Sequence, residues 1–323
     1  MSLNKNVKKK IIFSFNICFV FIFLSYESIY GEWTKYKHNP VLGNKKTGTI
    51  FDPFVLKHNN IYKMYVSWRP LGAIALSTSI DGINWSELKI ILNKGNNQSW
   101  ESIVNRASIT IVKKKCYLWY TGQHKGNSKI GVAISENGSK FIKYKNNPIL
   151  VPENDFEKGS VMNPYVVYDQ EEKIFKMWYA AGQFYEPDVI CYATSKNGID
   201  WIKYKYNPIF SPNSNKLSLD SFKVGGCEVH KISSKKYLMF YIGYSDINTA
   251  RIFIAKSNNG INNWKRNSIP IIKPTKGQFD SNACYKPSAM YDKKKKMWMI
   301  WYNGRIRGTE LIGFAYKKIF HLF

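Results

Sequence analysis

One pattern recurs five times along this chain, and a recurrence at roughly sixty residues constrains the fold more than any single motif does. An aromatic pair followed by small residues appears as Met64-Tyr65-Val66-Ser67, Trp119-Tyr120-Thr121-Gly122, Trp178-Tyr179-Ala180-Ala181-Gly182, Phe240-Tyr241-Ile242-Gly243 and Trp301-Tyr302-Asn303-Gly304. A turn signature follows the first four: Ser79-x-Asp81-Gly82, Ser135-x-Asn137-Gly138, Ser195-x-Asn197-Gly198 and Ser257-x-Asn259-Gly260. Asn-Gly and Asp-Gly favour the left-handed backbone of tight hairpins, so each marks a reversal between two strands.

A third element closes the repeats. Phe141 to Leu150, Trp201 to Phe210 and, more loosely, Trp264 to Ile272 share an aromatic, Ile-Lys and Asn-Pro order; their other match is Trp33 to Leu42, ahead of the first repeat. The fifth repeat stops after its third strand, near Tyr316. Four short strands per repeat make an antiparallel blade that buries both faces only between neighbours. The expected fold is therefore all-β: a five-bladed β-propeller of four-stranded antiparallel blades, with the N-terminal strand completing the last blade and removing an open edge. Aromatics at fixed repeat positions, such as Trp119, Trp178 and Trp301, are expected in the core rather than against a sugar.

Residues 1–31 read separately from the propeller at 32–323. Lys5, Lys8, Lys9 and Lys10 precede an apolar run from Ile11 to about Leu24. The run is short for a membrane span and suits a signal peptide cleaved after Gly31, an uncleaved N-terminal anchor being the alternative. The expected location is secreted, periplasmic or in the cell envelope. Cys116, Cys191, Cys227 and Cys284 fall in strands without metal or disulfide spacing, so they read as free core thiols, and no metal or cofactor is expected. A net charge of +26 invites nucleic acid as a partner. The distribution argues against it: among 48 basic residues only Arg69, Arg106, Arg251, Arg266, Arg305 and Arg307 are arginine, and the lysines crowd at hairpin turns, where they keep edges soluble.

Propeller geometry sorts the residues between two faces. The starts of the inner strands (Asp52, Arg106, Asn163, Glu228 and Lys286) and the loops after the second strands open on one face. Those loops hold Trp68, Arg69, Gln123, Gln183 and Arg305, which with Arg106, Asn163, Lys286 and His230 are the expected substrate-binding set. Asp52 precedes Tyr65 by the same interval as Glu228 precedes Tyr241, which places two carboxylates at equivalent innermost positions across the channel mouth. Two carboxylates flanking a cleft are what glycosidic cleavage needs: one protonates the leaving oxygen, the other activates water or attacks the anomeric carbon. Glu228, beside Cys227 and Val229, is the expected acid, and Asp52 the base.

At these residues the chain resembles the five-bladed propeller glycosidases of glycoside hydrolase families 43, 32, 68 and 130. Phe51-Asp52-Pro53-Phe54-Val55 resembles their first-blade Asp-Pro motif, and the repeats resemble glycosidase-like proteins grouped near the mannoside phosphorylases. The resemblance implies a catalytic Asp at Asp52 and a Glu acid at Glu228. Where families 32 and 43 place further acids, this chain has Asn105-Arg106-Ala107-Ser108 and Met162-Asn163-Pro164, leaving Glu101 and Asp280 as fallback carboxylates, with Glu157 and Asp220 at similar positions pointing to a structural role. The expected function is an exported glycoside hydrolase acting on a polysaccharide or glycan, by inversion in the sense that a water fits between its acids. The alternatives are a non-catalytic carbohydrate-binding propeller and a glycoside phosphorylase with Arg106 near the phosphate.

Overall fold

The computed structural model describes residues 29–319; the basic and apolar segment through residue 28, with the expected leader or anchor, lies outside them. Within them the chain forms five four-stranded antiparallel sheets. Blade one comprises Ile50–His58, Ile61–Trp68, Ala73–Ser79 and Lys89–Leu92, from the centre outward. Blade two follows with Ile103–Val112, Lys115–His124, Asn127–Ser135 and Ile142–Lys143. Blade three has Val161–Asp169, Ile174–Ala181, Val189–Ser195 and Ile202–Lys203; blade four has Lys223–Ser233, Lys236–Tyr244, Ala250–Ser257 and Lys265–Arg266. Blade five takes Ala283–Asp292, Met297–Ile306 and Thr309–Lys318, and its fourth strand is Thr34–Lys35, paired through Thr34 with Tyr316 and through Lys35 with Ala315. The inner strand of each blade packs on those of both neighbours, blade five on blade one included, so the ring is closed.

The repeated residues turn out to be its fasteners. Trp119, Trp178 and Trp301 are buried, and each donates its indole N–H to the turn glycine of the following blade: Gly198, Gly260 and Gly82, at 2.8–2.9 Å. The serine of each turn accepts the N–H of that glycine, which lies at positive φ and so suits a residue without a Cβ. The tyrosine of the pair serves its own blade. Tyr120, Tyr179, Tyr241 and Tyr302 donate to Glu101, Glu157, Asp220 and Asp280, which also meet Lys143, Lys203, Arg266 and Lys35 from the fourth strands. Glu101 and Asp280 are therefore buttresses of the blades, not a third catalytic acid.

The Asn-Pro element has an equally concrete job. Asn147 and Asn207 each accept and donate a hydrogen bond with the backbone of the third strand, at Val132 and Tyr192. Asn39 does the same at Phe314, with bonds of 2.8 and 2.9 Å, so the N-terminal segment repeats in blade five what the outer segments do in blades two and three. Cys116, Cys191, Cys227 and Cys284 are buried free thiols.

Deleting residues 32–43 removes the strand, Lys35 and Asn39 together and leaves blade five with a bare edge. Thermal unfolding followed by circular dichroism should then lose its single cooperative transition; a truncated protein that melts like the parent would show that closure does not depend on this segment.

Candidate functional site

Every inner strand carries a bulge at the same place, and it builds the site. The pairing with the second strand shifts between Phe51 and Phe54, Asn105 and Ser108, Met162 and Tyr165, Gly225 and Glu228, and Tyr285 and Ser288. A bulge re-aims a side chain that would otherwise follow the pleat. At the five bulges stand Asp52, Arg106, Asn163, Gly226 and Lys286, all at positive φ from 29° to 57°. This backbone is unfavourable for Arg106 and Lys286 and better tolerated by Asp52, Asn163 and Gly226. The N–H groups of Asp52, Arg106 and Asn163 donate to Asn303, Ser67 and Thr121 of the preceding blade.

These pairings correct the expected carboxylate pair. The residue equivalent to Asp52 in blade four is Gly226, and Glu228 corresponds to Phe54, Ser108, Tyr165 and Ser288. Two offsets produced the coincidence of spacing. Tyr65 is in register with Trp119 and Phe240, not with the tyrosines beside them, and blade four has an extra residue in its first hairpin, at a second bulge between Lys231 and Ser233. Glu228 is 2% exposed and does not line the cleft. Its Oε2 accepts the N–H of Ala289 at 2.8 Å, as Ser288 and Ser108 accept those of Val55 and Val166. It is an inter-blade fastener.

The cleft, of about 510 Å³, opens where the inner strands begin. It gathers Asp52, Arg106, Asn163, Trp68, Arg69, Gln123 and Arg305 from the expected set. Arg106 donates through Nε to Asp52 at 3.0 Å and through Nη2 to the Tyr185 carbonyl, while its buried Nη1 bonds no protein atom. Gln123 bonds Asn105, and Asn163 leaves its buried Oδ1 without a protein partner. Three expected residues fall elsewhere. Gln183 is exposed and accepts from Lys223; His230 lines a separate cavity with Lys236, Lys293 and Trp298; Lys286 is buried beside Gly226, outside the cleft lining. A side chain at Gly226 would meet Lys286 and Asn163, so the glycine makes room for both.

The cleft brings Asp52 together with two other carboxylates, Glu186 and Glu310. Glu186, in the loop between the second and third strands of blade three, accepts from the Tyr244 hydroxyl at 2.5 Å. Burial pushes its carboxyl above the ordinary range, reinforced by Asp52 and opposed by Tyr244, Arg106 and Arg305. Glu310, 8% exposed, begins the third strand of blade five and accepts from Arg69 at 3.1 Å. Burial carries its pKa to about 7; Asp52 and Glu186 add to this, and Arg69 works against it. Glu186 could be placed at this face by its loop alone, whereas nothing in the repeat marks Glu310. The site thus offers three acids balanced by Arg69, Arg106 and Arg305, with Phe51, Tyr185, Tyr244 and Tyr285 as apolar walls. Such a cleft can hold a sugar against aromatic faces and supply both a proton and an acceptor.

Residues 75–219 match the family model for the glycosyl hydrolases family 32 N-terminal domain. The chain is 31% identical over 156 residues, 48% of its own length and 46% of the relative's, to a 1,2-beta-oligomannan phosphorylase of Thermoanaerobacter sp. (strain X514). It is 28% identical over 163 residues, covering 45% and 54% of the two chains, to an uncharacterized protein of Mycobacterium tuberculosis (strain CDC 1551 / Oshkosh). The chain thus spans about half the length of these curated relatives. Among solved structures, a glycosyl hydrolase from Bacteroides ovatus superposes with a TM-score of 0.69 at 16% identity, over 90% of this chain and 94% of that one. A member of the GH130 family of mannoside phosphorylases, described as containing glycoside hydrolases that target beta-1,2 mannosidic linkages in Candida mannan, gives 0.68 at 16% identity over 90% and 94%. A thermostable family-43 glycoside hydrolase gives 0.67 at 18% identity over 87% and 91%.

Two outcomes follow from the geometry. Glu228→Ala leaves the Ala289 N–H unpaired and should cost about 1–3 kcal/mol in chemical denaturation, with Glu228→Gln, which keeps an acceptor, costing less. A larger loss of sugar turnover than of stability in Glu228→Gln would reinstate it as an acid. Glu310 holds its proton more tightly folded than unfolded, so its burial is free of cost below about pH 4.5 and costs on the order of 3 kcal/mol above pH 7. Glu310→Gln should therefore raise the Tm at pH 8 and change it little at pH 4, as read by scanning fluorimetry.

Proposed function

Because the chain carries the fold of the five-bladed propeller glycosidases, we propose that it is an exported glycoside hydrolase whose cleft cleaves a glycosidic bond between Glu310 and Asp52. The observation that carries the reading is the pair of unlike carboxyl environments around one cleft. Burial raises the Glu310 pKa to about 7, so a large share of it is protonated at neutral pH, which suits a general acid. Asp52, joined to Arg106 at the first-blade bulge, takes the role of base toward a water. Glu186 and Tyr244 border the same space and position the sugar. Inversion at the anomeric carbon follows from a base acting through water, and it is read directly by the anomer first released. The oligomannan-phosphorylase relative and the mannoside-active structural neighbour make β-1,2-linked mannosides the first substrates to test.

A second reading draws on one contact. The Arg106 guanidinium already occupies Asp52, which is the arrangement of a cleft that binds a glycan without cutting it. The deciding experiment incubates the full chain with β-1,2-mannooligosaccharides and a panel of aryl glycosides and polysaccharides, with and without inorganic phosphate. Turnover in water that falls by about 10²–10⁴ in Asp52→Asn and Glu310→Gln supports hydrolysis. Release of sugar 1-phosphate only when phosphate is added makes it a phosphorylase. Glycan binding by calorimetry, with no product from any substrate and unchanged in both variants, makes it a binding propeller.

A further inference from the structure

Three guanidinium groups reach the cleft, and two of them are committed to carboxylates. Arg106 is joined to Asp52, and Arg69 to Glu310. Arg305 lines the same space, half-buried, and enters no ion pair among the described residues. Its place in the sheet gave it a partner to hand. Arg305 pairs with Glu310 across the second and third strands of blade five, a register that sets two side chains side by side. Glu310 turns instead to Arg69 of blade one. Arg305 turns to the loop of blade four, where its Nη2 donates to the Asn248 carbonyl at 2.8 Å. Its guanidinium also lies 5.0 Å from the centre of the Tyr285 ring, so the group is held from two sides.

That bond uses one of the two Nη2 hydrogens, and no other protein atom among the described residues accepts from this guanidinium. One whole edge of the planar fork is therefore left for a ligand. Tyr285 supplies a second donor beside it: the residue is 4% exposed, lines the cleft, and its hydroxyl bonds no protein atom. Glu186 stands near both groups, but its carboxylate accepts from the Tyr244 hydroxyl and forms no ion pair with Arg305. The charge balance points the same way. Whenever Glu310 holds the proton that a general acid must give, the cleft sets Arg69, Arg106 and Arg305 against Asp52 and Glu186 alone. The surplus positive charge falls at Arg305.

We propose that the sugar taken by this cleft carries a carboxylate, as a hexuronic acid residue does, and that the Arg305 guanidinium binds it with the Tyr285 hydroxyl as a second donor. The inference rests on the cleft being the glycan site and names the class of sugar it takes. A guanidinium edge meets a carboxylate through two parallel N–H···O bonds, which a neutral hydroxymethyl group cannot reproduce. Because the Asn248 carbonyl and the Tyr285 ring already fix the fork, little side-chain freedom is lost when the ligand arrives.

The test is calorimetry of the full chain with matched pairs of aryl thioglycosides, whose sulfur link resists cleavage: glucoside and glucuronide, galactoside and galacturonide, mannoside and mannuronide. At least one hexuronide should bind about 10–100-fold more tightly than its hexoside. Arg305→Gln, with its Tm checked for folding, should erase that difference and leave hexoside binding within about twofold, while Arg305→Lys should restore only part of it. Tyr285→Phe should weaken the hexuronide by about threefold to tenfold and spare the hexoside. Equal affinity within every pair overturns the proposal, and so does an equal loss of both members in folded Arg305→Gln. Inorganic phosphate that binds more tightly than any hexuronide and is lost in Arg305→Gln would assign the arginine to phosphate and overturn it as well. A hexuronide that binds in the expected pattern but is not cleaved as its O-glycoside leaves this proposal standing and fails the hydrolase reading. Cleavage of a neutral mannoside with no preference for its uronide does the reverse.

Discussion

The stacking of blade on blade is the constraint from which the rest follows. A four-stranded blade of this composition has two apolar faces and can bury them only between two neighbours, so the sheet stack must close on itself. The closing bonds are polar and directional as well as apolar. Indole N–H groups reach the turn glycines of the next blade, and bulge N–H groups reach Asn303, Ser67 and Thr121 of the preceding one. Apolar burial brings the blades together, and these bonds fix their rotation about the axis, since each forms in one orientation only.

That fixed rotation makes the cleft. Five bulges stand at one level, and the chain has filled these positions with Asp, Arg, Asn, Gly and Lys, of which Asp52, Arg106 and Asn163 line the cleft. A symmetric scaffold thereby holds an asymmetric site. Low exposure of Asp52, Arg106 and Glu310 means that their charges act on one another through little water, which strengthens the Asp52–Arg106 pair and raises the Glu310 pKa. The residues that obey the repeat carry the fold, and the charged residues of the cleft depart from it.

The same scaffold separates two electrostatic environments. Strand starts and long loops meet at the cleft, which gathers three acids and three arginines; short hairpins meet on the opposite face, among them the exposed run Lys293–Lys296.

The period, the turn glycines and the recurrence of Trp33 to Leu42 were enough to determine the five blades, their four strands and the N-terminal closure, because each is a local signal repeated at fixed spacing. The same signals placed Trp119, Trp178 and Trp301 in the core and Asp52, Arg106 and Asn163 at the channel mouth. Counting residues failed at Glu228, since a bulge adds a residue without changing the pattern of residue types, and two such offsets moved the carboxylate from the cleft to a seam between blades. Glu310 was invisible for a different reason: it sits at an ordinary position of a third strand and acquires its pKa only from what other blades bring against it. Sequence alone determined the ring and its two faces; which acids share the cleft was decided by tertiary structure, because that depends on register and desolvation across blades hundreds of residues apart.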